Sequence, residues 1–315
     1  MIVQILILIL GFVLLIKGAD IFIDGASSTA QNFKVSKMVI GLTIVAFGTS
    51  APEFAVSMSA LISGNNDMVL GNVIGSNILN ILLILGIASV ICPIKIKDNT
   101  VKKEMPLCIL MSILLVTLFL DNTLNNETLN QFTRSDAIAV LLFFLVFLYY
   151  IFSLAKNKIE EDTKAPYGIF KSIIFILLGL AGIIIGSDLV VDSASKIATT
   201  LGVSERIISL TVIAFGTSLP ELVTSIVSAK KKEQDILVGN IIGSNIFNIC
   251  IVLAVPVSIF GTISPSSFSF IDLLMLILTS VMLFIFSKTN KKITKSNGIV
   301  MLITFIIYYS LIFFI

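Results

Sequence analysis

The sequence predicts an all-α polytopic membrane protein, with ten transmembrane helices arranged as two inverted-topology five-helix repeats. Three observations lead to this fold class. Of the 315 residues, 57% are hydrophobic and only 13% are charged, whereas soluble domains carry about 25% charged residues. Ten apolar segments are long enough to cross a bilayer. The second half of the chain also repeats the sequence of the first half without a gap.

The predicted spans follow from a search for about 20 consecutive, mainly apolar residues. They cover residues 2–24, 38–62, 68–91, 105–121, 135–155, 168–191, 206–229, 235–260, 268–287 and 298–315. The first segment lacks a basic stretch and a small-residue cleavage site, so we expect an uncleaved helix and not a signal peptide. The polar segment 155–167 reads as a cytoplasmic linker between a first repeat at 1–154 and a second at 168–315.

The basic residues are distributed unevenly between the loops. The loops after spans one, three, five, seven and nine hold sixteen of them: Lys34, Lys37, Lys95, Lys97, Lys102, Lys103, Lys156, Lys158, Lys164, Lys230, Lys231, Lys232, Lys288, Lys291, Lys292 and Lys295. The other loops hold Arg134, Lys196 and Arg206. The positive-inside rule therefore predicts a multi-pass protein of the cell membrane with both termini outside the cytoplasm. Lys17, within span one, is expected to extend its ammonium group toward the cytoplasmic surface.

The composition excludes several kinds of chemistry. The chain contains no histidine, which removes imidazole metal ligands and histidine-based acid–base catalysis. Its three cysteines are expected to act as small apolar residues and not as a disulfide framework. A net charge of +2 gives no basic surface for nucleic acid. We expect a non-enzymatic protein that needs no cofactor, has the lipid bilayer as its surroundings and functions as a monomer.

The internal repeat has an offset of 168 residues. GLTIVAFGTSAPEFAVS at 41–57 aligns with SLTVIAFGTSLPELVTS at 209–225, and DMVLGNVIGSNILNI at 67–81 aligns with DILVGNIIGSNIFNI at 235–249. Each half contains five predicted spans, so equivalent helices cross the membrane in opposite directions. This inverted arrangement is typical of secondary transporters, whose binding sites lie near the midplane. A structural duplication without transport is the alternative.

The two phrases GTSAPE and GTSLPE place a carboxylate and a proline inside predicted spans. Glu53 and Glu221 lie near mid-span, where an ionised carboxylate costs about 2.5–3.5 kcal/mol on insertion scales. No lysine or arginine shares the predicted midplane, so a bound cation or a proton is required. Pro52 and Pro220 lack an N–H group and release helix carbonyls, which are tolerated only where they line a cavity.

Further oxygen atoms follow in both halves. Thr49 and Ser50, with Thr217 and Ser218, add hydroxyls on the turn that carries each glutamate. On the next span of each half, one helix face carries a polar ridge at i, i+4 and i+8, made of Asn72, Ser76 and Asn80 and of Asn240, Ser244 and Asn248. A site made of oxygens suits hard cations, and Ca²⁺ accepts irregular oxygen cages more readily than Mg²⁺ does. Helix packing is the alternative role of the ridges.

Four further acids receive a different interpretation. Asp20, Asp24, Asp188 and Asp192 fall near the ends of predicted spans one and six. We expect them to lie at helix ends and not to bind the cation.

GTSAPE and GTSLPE, each followed by GNVIGSN or GNIIGSN, resemble the two alpha repeats of the sodium/calcium exchanger family within the calcium/cation antiporter superfamily. The alpha repeats would span 41–81 and 209–249, and the resemblance covers essentially the whole chain. It is of the prokaryotic type, because the large cytoplasmic regulatory insert of animal exchangers is absent. The resemblance implies an antiporter that exchanges Na⁺ for Ca²⁺ by alternating access.

The resemblance also implies a set of ligands. The Ca²⁺ site would use the carboxylates of Glu53 and Glu221 with the carbonyls of Thr49 and Thr217. One Na⁺ site would use Ala46, Thr49, Ser50, Glu53 and Ser76, and its mirror would use Ala214, Thr217, Ser218, Glu221 and Ser244. Asn80 and Asn248 would line the middle of the site.

Two features of the sequence distinguish a sodium/calcium exchanger from related exchangers. Some members of the superfamily, including potassium-dependent exchangers, carry an aspartate where this chain has Asn248, which disfavours potassium dependence. Proton/calcium exchangers tend to carry an acid where this chain has Gly75 and Gly243, which disfavours proton coupling. A cation channel and an intramembrane enzyme that uses paired carboxylates remain as candidates of other classes, although channels usually lack inverted glutamate pairs and an enzyme leaves the duplicated prolines unexplained.

The charges predict the electrical behaviour of the exchange. One Ca²⁺ neutralises two ionised glutamates, whereas the about three Na⁺ that the family resemblance implies would leave one positive charge. Exchange is therefore expected to be electrogenic, because moving one charge is worth about 2.3 kcal/mol per 100 mV. Spans one and six carry few ion ligands and are expected to move across the site.

Overall fold

The structure is a computed structural model that describes residues 1–125, 128–156, 165–202, 214–265, 270–289 and 291–314. Within these residues the chain is almost entirely helical. The helices are α1 Ile2–Phe33, α2 Lys37–Ile40, α3 Ala46–Thr49, α4 Ala51–Ile62, α5 Asn66–Leu79, α6 Gly86–Ile91, α7 Met105–Phe119, α8 Asp121–Asn125, α9 Arg134–Lys156, α10 Ile169–Thr200, α11 Ala214–Gly216, α12 Leu219–Lys230, α13 Gln234–Phe247, α14 Ala254–Phe260, α15 Phe270–Lys288 and α16 Lys295–Phe314. Among the described residues, four π-helical segments occupy Gly41–Val45, Asn80–Leu85, Thr100–Glu104 and Asn248–Leu253. Two short strands, β1 Ile94–Lys95 and β2 Lys292–Ile293, pair in an antiparallel manner.

Helices α1 and α10 form a closely packed pair. Each contains 32 residues, which corresponds to about 48 Å at 1.5 Å per residue. A Cβ atom on Gly18 would lie 2.7 Å from the backbone nitrogen of Ile183, and one on Gly179 would lie 2.6 Å from that of Phe22. Glycine is therefore required at these positions, because any side chain would separate the two backbones.

The predicted ends of spans one and six, at 24 and 191, fall nine residues short of the helices. The apolar stretch ends there, but the helical hydrogen bonding continues to Phe33 and to Thr200. The expectation that Asp20, Asp24, Asp188 and Asp192 lie at helix ends is therefore wrong. Asp20 and Asp24 lie inside α1, and both carboxylates pair with the ammonium group of Lys231. Asp188 and Asp192 lie inside α10.

The second predicted span, 38–62, is a broken helix. The segments Lys37–Thr49 and Ala51–Ile62 meet at an angle of 44°. The third and eighth spans are continuous instead, and they run over Asn66–Ile91 and Gln234–Phe260. Both lie in the interior of the bundle, where their apolar side chains form the main core.

Seven of the described helices are long and apolar enough to cross a membrane, and the broken helix raises this number to eight. The chain is thus a multi-pass membrane protein. Helix α7, at predicted span four, has 15 residues and is shorter than these seven spanning helices. Predicted span 206–229 lies partly outside the described residues, as does most of the linker 155–167. The number of ten spans therefore stays a prediction.

The lysine-rich loops meet at one end of the bundle. Lys37 pairs with Glu233 at 2.8 Å, Lys97 with Asp235 at 2.6 Å, and Lys291 with Asp98 at 2.7 Å. The pairing of β1 with β2 joins two of the same loops. A separate backbone bridge between Phe132 and Ile263 connects the loops that follow spans four and eight. Lysine-rich loops therefore contact other lysine-rich loops, and the loops after spans four and eight contact each other, which is the grouping that the distribution of basic residues predicts.

Candidate functional site

The phrase GTSAPE forms the break in the second span. Proline lacks the N–H group that the carbonyl of Gly48 would accept in a continuous helix, and Pro52 lies instead in the first turn of α4, where no donor is needed. Ser50 occupies the break with φ −85° and ψ 7°. Ser218 has nearly the same conformation, φ −87° and ψ 3°, before Pro220 and α12. The repeated sequence therefore produces the same local backbone twice.

Both glutamates lie in the first turn of the helix that follows the break. The residues Glu53 and Glu221 are each 1% exposed, and the helix dipole at an N-terminus favours a negative charge. Ser50 Oγ donates a hydrogen bond to Glu221 Oε1 at 3.0 Å, and Ser218 Oγ donates to Glu53 Oε1 at 3.4 Å. These crossed bonds bring the two carboxyl groups into one site.

The second oxygen of each carboxyl group is buried without a hydrogen-bond partner in the described part of the chain: Glu53 Oε2 and Glu221 Oε2. None of the ion pairs between described residues includes either glutamate. A buried carboxylate without a positive partner is costly in free energy. The protein itself thus leaves two carboxyl oxygens without a partner, which a cation can complement.

Asparagines line the neighbouring part of the site. Asn80 and Asn248 each begin a π-helical segment, a feature that is frequent at functional sites. Asn80 Nδ2 donates to Asn245 Oδ1 at 3.0 Å, and Asn248 Nδ2 donates to Asn77 Oδ1 at 3.0 Å. The side-chain oxygens of Asn80 and Asn248 are buried and have no partner among the described residues. Each side chain is therefore anchored through its nitrogen and keeps its oxygen free.

Asn77 and Asn245 are structural residues of the site that the sequence analysis did not single out. Besides holding Asn248 and Asn80, they bond to each other's backbones: Asn77 Nδ2 to the carbonyl of Asn245 at 3.2 Å, and Asn245 Nδ2 to the carbonyl of Asn77 at 3.3 Å. Both belong to the repeated GSN triplet. The repeat itself was the signal that could have identified them.

Asn72 and Asn240, on the predicted polar ridges, support the site from behind. Asn72 Nδ2 donates to the backbone carbonyl of Glu53 at 2.8 Å and to Ser57 Oγ at 2.9 Å. Asn240 Oδ1 accepts a hydrogen bond from Thr49 Oγ1 at 3.1 Å. Because these amides are used within the protein, they position the helix breaks and leave the carboxylates free.

The remaining predicted ligands are placed as follows. Ser76 and Ser244 are buried on α5 and α13, and Ser244 Oγ has no partner in the described part of the structure. Thr49 is buried and Thr217 is half-buried. Ala46 is buried where α13 packs closely on α3, since a Cβ on Gly243 would lie 2.7 Å from the Cβ of Ala46. Ala214 begins α11, and its side chain lies outside the described residues.

The site is made of oxygen atoms. Its two carboxylates, two amide oxygens and several hydroxyls provide no nitrogen or sulfur ligand to a cation. Such a set fits hard cations such as Ca²⁺ and Na⁺, and it lacks the imidazole and thiolate ligands that Zn²⁺ and Cu⁺ prefer.

Comparison with known proteins assigns the family. The family model described as "Sodium/calcium exchanger protein" matches residues 3–153 and 171–314. The chain belongs to this family. The resemblance predicted from the paired motifs is thereby confirmed.

Relatives of this family member match it over nearly its whole length. It is 38% identical to the putative antiporter CaxA of Alkalimonas amylolytica and 32% identical to the sodium/calcium exchanger MaX1 of Methanosarcina acetivorans, and each alignment covers 99% of both chains. Its fold is similar to solved structures of the sodium-calcium exchanger NCX_Mj. For the structure soaked with 10 mM Na⁺ and 10 mM Sr²⁺, the TM-score is 0.86 at 34% identity, with 98% of both chains covered.

Proposed function

We propose that this protein is a secondary antiporter that exchanges Na⁺ for Ca²⁺ across the cell membrane. The observation that carries the proposal is the set of buried, unpartnered oxygens around two carboxylates. Glu53 Oε2, Glu221 Oε2, Asn80 Oδ1, Asn248 Oδ1 and Ser244 Oγ are all buried without a partner among the described residues. A bound cation would satisfy such a cluster of oxygens around two carboxylates inside a membrane protein. Membership of the exchanger family supports Na⁺ and Ca²⁺ as that cargo.

The proposed ligands are those that the motifs indicate. Ca²⁺ would bind the carboxylates of Glu53 and Glu221 and the backbone carbonyls of Thr49 and Thr217. Na⁺ would bind on either side of it, through Ala46, Thr49, Ser50, Glu53 and Ser76 and through Ala214, Thr217, Ser218, Glu221 and Ser244. Asn80 and Asn248 would present their free oxygens between the two halves. Since both ions need the same glutamates, binding of one excludes the other, and this competition couples the two fluxes.

The proposed architecture is ten spans in two inverted five-helix repeats, 1–154 and 168–315, with both termini extracytoplasmic. Reciprocal contacts support it. Two hydrogen bonds from the first half to the second have equivalents in the opposite direction. The bond Ser50–Glu221 corresponds to Ser218–Glu53, and the bond Asn80–Asn245 corresponds to Asn248–Asn77. Ser112 and Ser280, which are 168 residues apart, meet at 3.2 Å. These contacts between residues related by the repeat support an approximate two-fold axis between the halves, as inverted repeats require.

The proposed cycle is electrogenic. Two ionised glutamates are neutralised by one Ca²⁺, whereas about three Na⁺ leave one positive charge, because Asn80 and Asn248 carry none. An inside-negative potential then favours Na⁺ entry and Ca²⁺ extrusion, by about 2.3 kcal/mol for each charge per 100 mV. The close, glycine-lined contact between α1 and α10 suits two helices that move together over the site to alternate access.

The test is ion flux in proteoliposomes. We expect ⁴⁵Ca²⁺ uptake to depend on an outward Na⁺ gradient and to change when a K⁺/valinomycin clamp changes the potential. Uptake that ignores the Na⁺ gradient would refute the exchange. Uptake driven by a pH gradient would favour proton coupling, and a strict requirement for K⁺ would favour potassium dependence. Flux down the Ca²⁺ gradient without any counter-ion would identify a channel.

Variants locate the site. Glu53→Gln and Glu221→Gln should each abolish exchange, since an amide cannot supply the charge. Glu104→Gln is the matched control, because Glu104 is equally buried but accepts a hydrogen bond from Tyr150 and lies outside the two alpha repeats, 41–81 and 209–249. Exchange that survives in either site variant, or that is lost equally in the control, would contradict the shared carboxylate site.

A further inference from the structure

A cleft opens between α1 and α12, close to the end of the bundle where the lysine-rich loops meet. Its volume is about 210 Å³, and it is lined by Ile16, Lys17, Asp20, Val227, Lys230 and Lys231. It is separate from the glutamate site, since none of the proposed ligands lines it. Three ammonium groups around one cleft make it an unusual feature of a protein with a net charge of only +2.

The three lysines are not equivalent. Lys231 is held by Asp20 Oδ1 at 2.8 Å and by Asp24 Oδ1 at 2.6 Å. Lys17 and Lys230 are exposed, and no ion pair or hydrogen bond of their ammonium groups occurs among the described residues. Because two carboxylates face Lys231, the three ammonium groups leave a net charge of about +1 at the cleft, and Lys17 and Lys230 remain available to an anion. The same charges repel Na⁺ and Ca²⁺, so this cleft does not serve as a cation pathway.

The cleft continues into a lipid-facing surface. Ile9, Val13 and Ile16 lie on the face of α1 that carries Lys17 and Asp20, at helical spacing, and each is at least half exposed, at 54%, 50% and 50%. A large apolar surface of this kind faces hydrocarbon in a membrane protein. An occupant must therefore combine an anionic group for the lysines with an apolar chain for the helix face.

We propose that this cleft binds an anionic phospholipid. Its phosphate lies between Lys17 and Lys230, and its acyl chains lie along Ile9, Val13 and Ile16. Basic pockets between helices at the cytoplasmic side of a membrane recognise such head groups. Inorganic phosphate offers the same charge, but it has no apolar part to cover α1, and the exposed helix face favours the lipid. The bound lipid neutralises the repulsion between the lysines and so ties α1 to α12.

The test uses the full chain purified in a neutral detergent. Native mass spectrometry measures binding of phosphatidylglycerol and of phosphatidylcholine with the same acyl chains, and thermal unfolding is followed with each lipid. We expect phosphatidylglycerol to bind about tenfold more tightly at this site and to raise the unfolding temperature. Lys17→Gln/Lys230→Gln should lose both effects. Lys102→Gln/Lys103→Gln, which removes two exposed lysines from the same end of the protein, should keep them.

Each other outcome contradicts the proposal. Equal loss in both double variants would mean that surface charge in general attracts the lipid. A preference that survives in Lys17→Gln/Lys230→Gln would place the lipid elsewhere. Inorganic phosphate at millimolar concentration should not change the unfolding temperature, and an equal stabilisation by it would identify a free-anion site. Size-exclusion chromatography and circular dichroism establish that both variants are folded before binding is compared.

Discussion

The hydroxyl of Ser50 donates a hydrogen bond to Oε1 of Glu221 at 3.0 Å, between residues that are 171 positions apart. The reciprocal contact runs from Ser218 to Glu53 at 3.4 Å. Each half of the chain thus supplies the hydroxyl that orients the carboxylate of the other half. Neither half forms a complete site by itself, because its glutamate depends on a donor from its partner.

Removal of these hydroxyls should weaken cation binding unequally. A hydrogen bond to a charged group contributes about 1.5–3 kcal/mol, and shorter bonds are stronger. Ser50→Ala should therefore raise the Ca²⁺ concentration for half-maximal uptake by about tenfold, and Ser218→Ala should raise it by less. Uptake in proteoliposomes measures both. Ser63→Ala changes an exposed serine directly after the same broken span and should leave uptake unchanged. A larger effect of Ser218→Ala than of Ser50→Ala would contradict the prediction that the shorter hydrogen bond contributes more.

The sequence identified the candidate residues of the site because their motif occurs twice. A carboxylate and a proline within an apolar span are costly, and their recurrence 168 residues later marked Glu53 and Glu221 as a pair. The pattern could not show that Ser50 and Ser218 cross between the halves, since spacing along one helix carries no information about contacts between helices. It also missed Asn77 and Asn245, whose role depends on a partner from the opposite repeat.

The errors in the fold have an equally physical origin. The predicted ends of spans one and six coincide with the ends of the apolar stretches, but α1 and α10 continue to Phe33 and Thr200. Hydropathy reports the membrane thickness and not the length of a helix. The π-helical segments at Asn80 and Asn248 also have no hydropathy signature, because they alter hydrogen bonding without altering composition.

The asparagine contacts should be energetically coupled. Asn80→Ala leaves the buried Oδ1 of Asn245 without its donor, and Asn245→Ala leaves the amide of Asn80 without its acceptor. Because each single variant already loses this bond, a double-mutant cycle should give a coupling of about 0.5–3 kcal/mol. Thermal unfolding in detergent is the measurement. Asn80→Ala with Ser63→Ala is the control pair, and its effects should add. Additive effects of Asn80→Ala and Asn245→Ala would show that the bond contributes nothing.

The contact between α1 and α10 should not tolerate one added methyl group. In an exposed helix, Gly→Ala stabilises by about 0.5–1 kcal/mol. In Gly179→Ala, however, the new Cβ would meet the backbone of Phe22 at 2.6–2.7 Å, and overpacking costs about 1–3 kcal/mol. We therefore expect a lower unfolding temperature and slower Na⁺-dependent Ca²⁺ uptake. Gly168→Ala, at the start of α10 with no atom within 4 Å of its Cβ, should be close to neutral. A stabilised Gly179→Ala would contradict the close approach.

The ion pairs of Lys231 should respond to alkaline pH and not to neutral pH. Burial alone lowers the pKa of Lys231, but the hydrogen bonds and charges of Asp20 and Asp24 outweigh it and raise the pKa above the ordinary value of 10.5. A raised pKa in the folded state means that the stabilisation is fully present below the ordinary value and is lost as the pH rises through the folded value. The pairs that tie α1 to the end of α12 thus persist at physiological pH.

The measurement is the difference in unfolding temperature between the native protein and Lys231→Gln at a series of pH values. We expect the native protein to be the more stable by a constant amount between about pH 7 and pH 9, and this difference to shrink above about pH 10.5. Lys102→Gln, which removes an exposed lysine from the same end, should give a difference near zero throughout. A difference for Lys231→Gln that changes around neutral pH would mean that another group titrates against this pair. No difference at any pH would mean that the two carboxylates do not hold Lys231.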